Sequence, residues 1–162
     1  MTIEDGTGLE NADSYAGVSV ADSYHIARGN LYWMDASEEA KSAALIRACD
    51  YLERAYGRLW HGARISVMQR LSFPRYGIEE LKDDEIPAWL IEAQCEAASI
   101  ELLNPGLLLE SPSEGGTLQE EKEGEVTRRF AAGGSTIRRF PSIQGLLAAY
   151  IRNPSLLKLE RT

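Results

Sequence analysis

Between Ser37 and Gly57 the chain carries one long apolar stripe at helical spacing: Ala44, Leu45, Ala48, Cys49, Leu52, Ala55 and Tyr56. Lys41, Arg47, Asp50 and Glu53 occupy the other faces. Ser37 is placed to cap the helix. Glu38 and Glu39 suit its positive end, Arg54 and Arg58 lie at the far end, and Gly57 is the natural stop. A helix of this length with one wet face must bury its stripe against other elements, and this predicts helix-on-helix packing.

Three further helical patterns supply partners. In the first, Ser19 reads as an N-cap with Asp22 three residues on. Val20, Tyr24 and Ala27 then fall at helical spacing before Gly29-Asn30. Another follows Asp83-Asp84-Glu85-Ile86-Pro87, with Pro87 at the first helical position and Ala88, Ile91, Cys95, Ala98 and Leu102 inward. Asn104-Pro105-Gly106 breaks it. The last starts near Pro141-Ser142 and runs through Ile143, Leu146, Leu147 and Tyr150. Cys49 and Cys95 sit inside helical patterns and read as reduced core thiols.

The links are less regular. From Arg58 to Pro74 the chain is rich in Trp, Phe and Met without a helical period, and Phe73-Pro74-Arg75 marks a fixed turn with an aromatic anchor. Residues 107–125 dissolve into Pro, Ser, Gly and Glu, the composition of a mobile loop or arm. An internal echo follows: Arg128-Arg129-Phe130 and Arg138-Arg139-Phe140, flanking a segment with Gly133-Gly134. Gly-Gly between short runs signals a hairpin. A two-residue turn would set Arg128 opposite Arg139, at a cost unless acids neutralise them. A three-residue loop would pair each arginine with a phenylalanine. Beyond Pro154 the tail keeps Leu156, Leu157 and Leu159, apolar teeth that a free tail rarely retains without a partner. The expected fold is therefore mainly α: a small helical bundle over 1–152 with a loop or β-hairpin insertion at about 107–140, and an extended C-terminal arm over 153–162.

The formal charge is −8 and the pI about 4.8. An acidic chain has no general attraction to phosphate, which counts against a free-standing nucleic-acid binder. No run of 18 apolar residues exists and the first residues lack the pattern of a signal peptide, so no membrane association is expected. Phosphate-cradle, nucleophile-elbow, zincin, paired CxxC and EF-hand spacings are all missing. His25 and His61 have no nucleophile in a recognisable frame, and Asp83-Asp84-Glu85 reads as a helix-entry acid cluster rather than a metal site. The expectation is a protein that is not an enzyme and that needs no metal or cofactor. The Arg-Arg-Phe echo is the one feature suited to nucleic acid, since arginines meet phosphate and an aromatic ring stacks on a base. The competing reading is a basic hairpin that meets the acids of a neighbouring subunit.

The opening, Glu4 to Asn30, and the middle signature Trp60-x-Gly62-x-Arg64, Gln69, Phe73-Pro74-Arg75 resemble a family of small tailed-phage and prophage proteins. That family is often labelled DnaT-like and single-stranded-DNA-binding, while its genomic company and shape point to head–tail connector proteins of the phage neck. The resemblance spans most of the chain and is weaker after Leu107. It implies a structural adaptor: a homo-oligomeric ring of twelve, assembled in the host cytoplasm, located in the virion neck and docked under the portal protein. Such a ring extends the DNA channel and joins the next neck or tail component, with DNA passing through an acidic lumen without specific binding. On this reading Leu156, Leu157 and Leu159 grip the portal. The alternative is a DnaT-like single-stranded-DNA-binding protein that uses Arg128, Arg129, Phe130, Arg138, Arg139 and Phe140.

Overall fold

The computed structural model describes residues 1–109, 120–123, 126–129 and 137–152. Its helices are α1 (Val18–Ala27), α2 (Leu31–Asp35), α3 (Glu38–Tyr56), α4 (Ala88–Leu103) and α5 (Pro141–Leu147). Two antiparallel pairs of short strands complete it: β1 (Ala63–Arg64) with β2 (Arg75–Tyr76), and β3 (Glu120–Glu123) with β4 (Val126–Arg129). The fold is mainly α, as the stripe demanded.

The helix α3 forms as its sequence predicts. Ser37 Oγ accepts from the Ala40 amide at 3.2 Å, and the whole stripe from Ala44 to Tyr56 is buried. Lys41 departs from the expectation, because it is buried rather than solvated. Its Nζ lies 3.0 Å from Asp22 of α1, and an ion pair lets a charge leave water. α4 is the central helix and packs on α1, α2, α3 and α5. It therefore has no single inward stripe. Ala88 is exposed, while Leu90, Ala93, Gln94, Ala97 and Glu101, none of them in the predicted stripe, are buried with Cys95 and Ala98. A helix enclosed on several sides shows weak periodicity, and spacing then misleads. Cys49 and Cys95 are free thiols; burial pushes Cys49 up and Cys95 up to about 12, so both stay protonated.

The N-terminal region differs most from its reading. Helix α1 starts after Gly17, without a side-chain cap, and buries Ala21 and His25; Val20 and Ala27 are exposed. The separate helix α2 was not predicted. Asn30, read as a stop, starts it: Asn30 Oδ1 accepts from the Trp33 amide at 3.2 Å. Trp33 is fully buried, its ring 4.4 Å from that of His25, and its indole N–H donates to Asp22 at 2.7 Å.

His25 gives this corner a pH dependence. Its ring is 2% exposed, and burial is the largest cause lowering its pKa below the ordinary 6.5. The unfolded chain then binds the proton that the folded chain refuses, so stability is full above about pH 6.5 and is lost as pH falls below it. The melting temperature of the protein should drop between about pH 6.5 and 5, and His25→Gln should flatten that segment of the profile. An identical slope in both proteins would place the titrating group elsewhere.

The predicted Gly133-Gly134 turn lies outside the described residues, and the hairpin that is described forms earlier in the chain. β4 pairs with β3, in a register that sets Arg128 opposite Glu121 and Arg129 opposite Glu120. The second half of the echo is taken by α5 instead: Phe140 is its N-cap residue, and the Phe140 ring lies edge-on to Tyr51 at 6.0 Å.

Candidate nucleic-acid interface

The segment that leaves α3 builds one end of the bundle. Gly57 closes the helix, Trp60 turns inward, and Gly62 crosses to β2. Gly62 has φ +67°, and a Cβ there would fall 2.3 Å from the Tyr76 carbonyl oxygen, so only glycine lets the strands approach. The segment after α5 is laid against the same stretch. The His61 amide donates to the Tyr150 carbonyl at 3.2 Å and the Arg152 amide to the Leu59 carbonyl at 2.6 Å, bridging Trp60 to Ile151.

The middle signature proves to be the frame of this end. Phe73 packs edge-on against Trp60 (5.3 Å), Trp89 (5.5 Å) and Tyr15 (6.4 Å). Gln69 is buried and closes the loop between the strands. Its Nε2 donates to the Leu71 and Pro74 carbonyls, and its Oε1 accepts from the Ser66 amide. The Arg75 guanidinium is also internal, donating to the carbonyls of His61 (2.8 Å), Gly62 (2.8 Å) and Ser72 (3.1 Å). Three carbonyls hold this charge, and the Glu53 carboxylate offsets part of it.

Two further arginines, Arg64 and Arg152, act on that buried one. Arg58 precedes Leu59, the acceptor of the Arg152 amide, so both exposed side chains arise beside one hydrogen bond. Arg64 is opposite Arg75 in the β1–β2 register. Burial is the main cause lowering the Arg75 pKa; the charge of Arg64 adds to it, and Arg152 contributes further. The Arg139 guanidinium lies 5.6 Å over the Tyr56 ring, which packs on Trp60 at 6.1 Å. Arg138 beside it is exposed. The nearest acid, Glu53, is largely engaged: it accepts from Tyr15 Oη (2.6 Å), the Ser72 amide (3.0 Å) and Ser72 Oγ (2.6 Å), and stands 3.9 Å from Arg64.

The structure thus separates the two halves of the echo. Arg139 lies over Tyr56 at this end, Arg138 beside it is exposed, and the half-buried Phe140 packs on Tyr51. Arg128 and Arg129 belong to the β3–β4 pair, opposite glutamates. Phe130, Leu156, Leu157 and Leu159 lie outside the described residues. Arg58, Arg64 and Arg152 were not predicted as site residues. Arg152 stands far from the other two in sequence, and the pairing of 59–61 with 150–152 brings it to them. No helix among the described residues is long and apolar enough to cross a membrane.

Whole-chain charge was the ground for disfavouring nucleic acid, but it says nothing of the local field. Six of the acidic residues fall within 110–125 against the single base Lys122. A ligand responds to the local field at the surface it meets rather than to the sum. No curated protein and no solved structure matches the chain. A family model described as "Putative DnaT-like ssDNA binding protein" matches residues 1–162. This match overturns the head–tail connector reading and favours the alternative that accompanied it. The chain belongs to this DnaT-like family.

Proposed function

We propose that this protein binds single-stranded DNA through the arginine-lined end of its helical bundle. The observation that carries the reading is the family match over residues 1–162. The geometry supports it: exposed Arg64 and Arg152 act on a buried Arg75, and exposed Arg58 arises beside Arg152, on a frame fixed by Trp60, Gln69 and Phe73. Arginine guanidinium groups donate to phosphate oxygens in a fixed fork, and several on one surface track a flexible backbone. The protein acts in this reading as a binding module rather than a catalyst.

Fluorescence anisotropy of a labelled single-stranded oligonucleotide across a salt series tests it. Wild-type protein should bind with an affinity that falls as salt rises, by a slope of about −0.7 per phosphate contact on a log–log plot. Combining Arg58→Ala with Arg152→Ala should weaken binding and make that slope shallower by about 1.4. Absence of binding at low salt would overturn the reading, and an unchanged slope in the double variant would move the interface off this surface.

A further inference from the structure

Beside the arginine cluster lies a cleft of about 340 Å³, lined by His61, Gly77, Ile78, Glu79, Ala149 and Tyr150. One wall is the exit of the β1–β2 pair and the other is the turn after α5. The hydrogen bond from the His61 amide to the Tyr150 carbonyl joins the two walls. The Tyr150 ring lies parallel to Trp89, with centroids 4.1 Å apart and planes 8° apart. Trp89 in turn packs on Trp60 and Phe73. The aromatic core thus runs outward without a break and ends, at Tyr150, in a cleft open to solvent.

We propose that this cleft is a nucleobase subsite, which holds one unstacked base of the single strand while the phosphates follow the arginines outside. The proposal rests on the single-stranded-DNA reading and adds to it the residues that meet a base. Three features select a base over other parts of a nucleotide. The aromatic stack offers Tyr150, backed by Trp89, as a platform for a flat ring. Glu79 puts a carboxylate on the rim, which repels a phosphate but accepts from a ring or exocyclic N–H. Arg152, two residues beyond Tyr150, and Arg58 offer the phosphates a place outside the cleft. A carboxylate takes two parallel donors best from guanine, whose N1–H and N2–H point the same way, so guanine should be the preferred occupant.

The test uses the full chain and small probes, so that it does not depend on binding of the polymer. The indole N–H resonances of the protein are followed by NMR while each deoxynucleoside 5′-monophosphate is added, with ribose 5-phosphate as the base-free control. The expected result is a shift of the Trp89 signal with the nucleotides, largest for dGMP, and none with ribose 5-phosphate. Ala149 is exposed, so Ala149→Phe can fill the cleft without touching the core. It should abolish the shift and weaken oligonucleotide binding about tenfold. A silent Trp89 signal, or an equal shift with ribose 5-phosphate, overturns the subsite. If the oligonucleotide binds while the monophosphates leave Trp89 unmoved, the subsite falls and the DNA-binding reading stands. If the monophosphates shift Trp89 in a wild-type protein that binds no oligonucleotide, the subsite stands and that reading falls.

Discussion

Phe73→Ala should destabilise the protein by about 3–5 kcal/mol, the range for deleting a large buried aromatic. The ring is 1% exposed and meets Trp60, Trp89 and Tyr15 edge-on. Its loss leaves a cavity among rigid flat groups, and such groups cannot collapse inward as a leucine cluster could. For a chain of this size that loss corresponds to a fall in melting temperature of roughly 6–20 °C. The consequence reaches the interface as well. Phe73 lies two residues before Arg75, whose guanidinium binds the carbonyls of His61 and Gly62, so the β1–β2 pair should loosen with it. DNA binding should weaken even under conditions where the variant remains folded. A change in denaturant midpoint equivalent to less than about 1 kcal/mol would show that the neighbouring rings close the gap.

Gln94→Leu should cost about 2–4 kcal/mol, although it replaces a polar side chain in a buried helix by an apolar one. Gln94 is fully buried in α4, and its amide joins three parts of the chain. Its Oε1 accepts from the Tyr15 and Ala16 amides at 3.1 and 3.0 Å. Its Nε2 donates to Ser14 Oγ at 2.6 Å and to the Leu45 carbonyl at 2.8 Å. Leucine fills the space but strands the Tyr15 amide in a dry core and removes the staple between the N-terminal segment, α3 and α4. The penalty for an unmet buried donor exceeds the gain from added apolar surface. Equilibrium denaturation measures it, and a variant as stable as wild type would mean that water enters and takes over the bonds.

The same two residues mark the boundary between what could be read from the chain and what could not. Helix α3 was legible down to its Ser37 cap because one face is wet and the other dry, so hydrophobic period and capping chemistry point to the same structure. Phe73-Pro74-Arg75 was legible as an anchored turn, since proline and a large aromatic declare themselves locally. Gln94 was invisible as a staple: α4 is enclosed by its neighbours, and a glutamine in an enclosed helix looks like any polar residue on a wet face. Helix α2 was missed because its five residues are too short to show a period, and its cap, Asn30, also reads as a stop signal.

The interface divides in the same way. The sequence by itself determined a mainly helical fold, the frame residues of its middle signature, the buried reduced cysteines and a family resemblance. It also presented an arginine echo, but it could not say what the echo would face. The tertiary structure decided that β4 lies against acidic β3, that Arg139 turns toward Tyr56, and that Arg64 and Arg152 come close enough to Arg75 to act on its charge. The reason is physical. Secondary structure follows from neighbours a few residues apart, which periodicity and caps record. A charged surface or a base-sized cleft arises where segments distant along the chain meet, here 59–61 with 150–152, and net charge sums over the very arrangement that decides the local field.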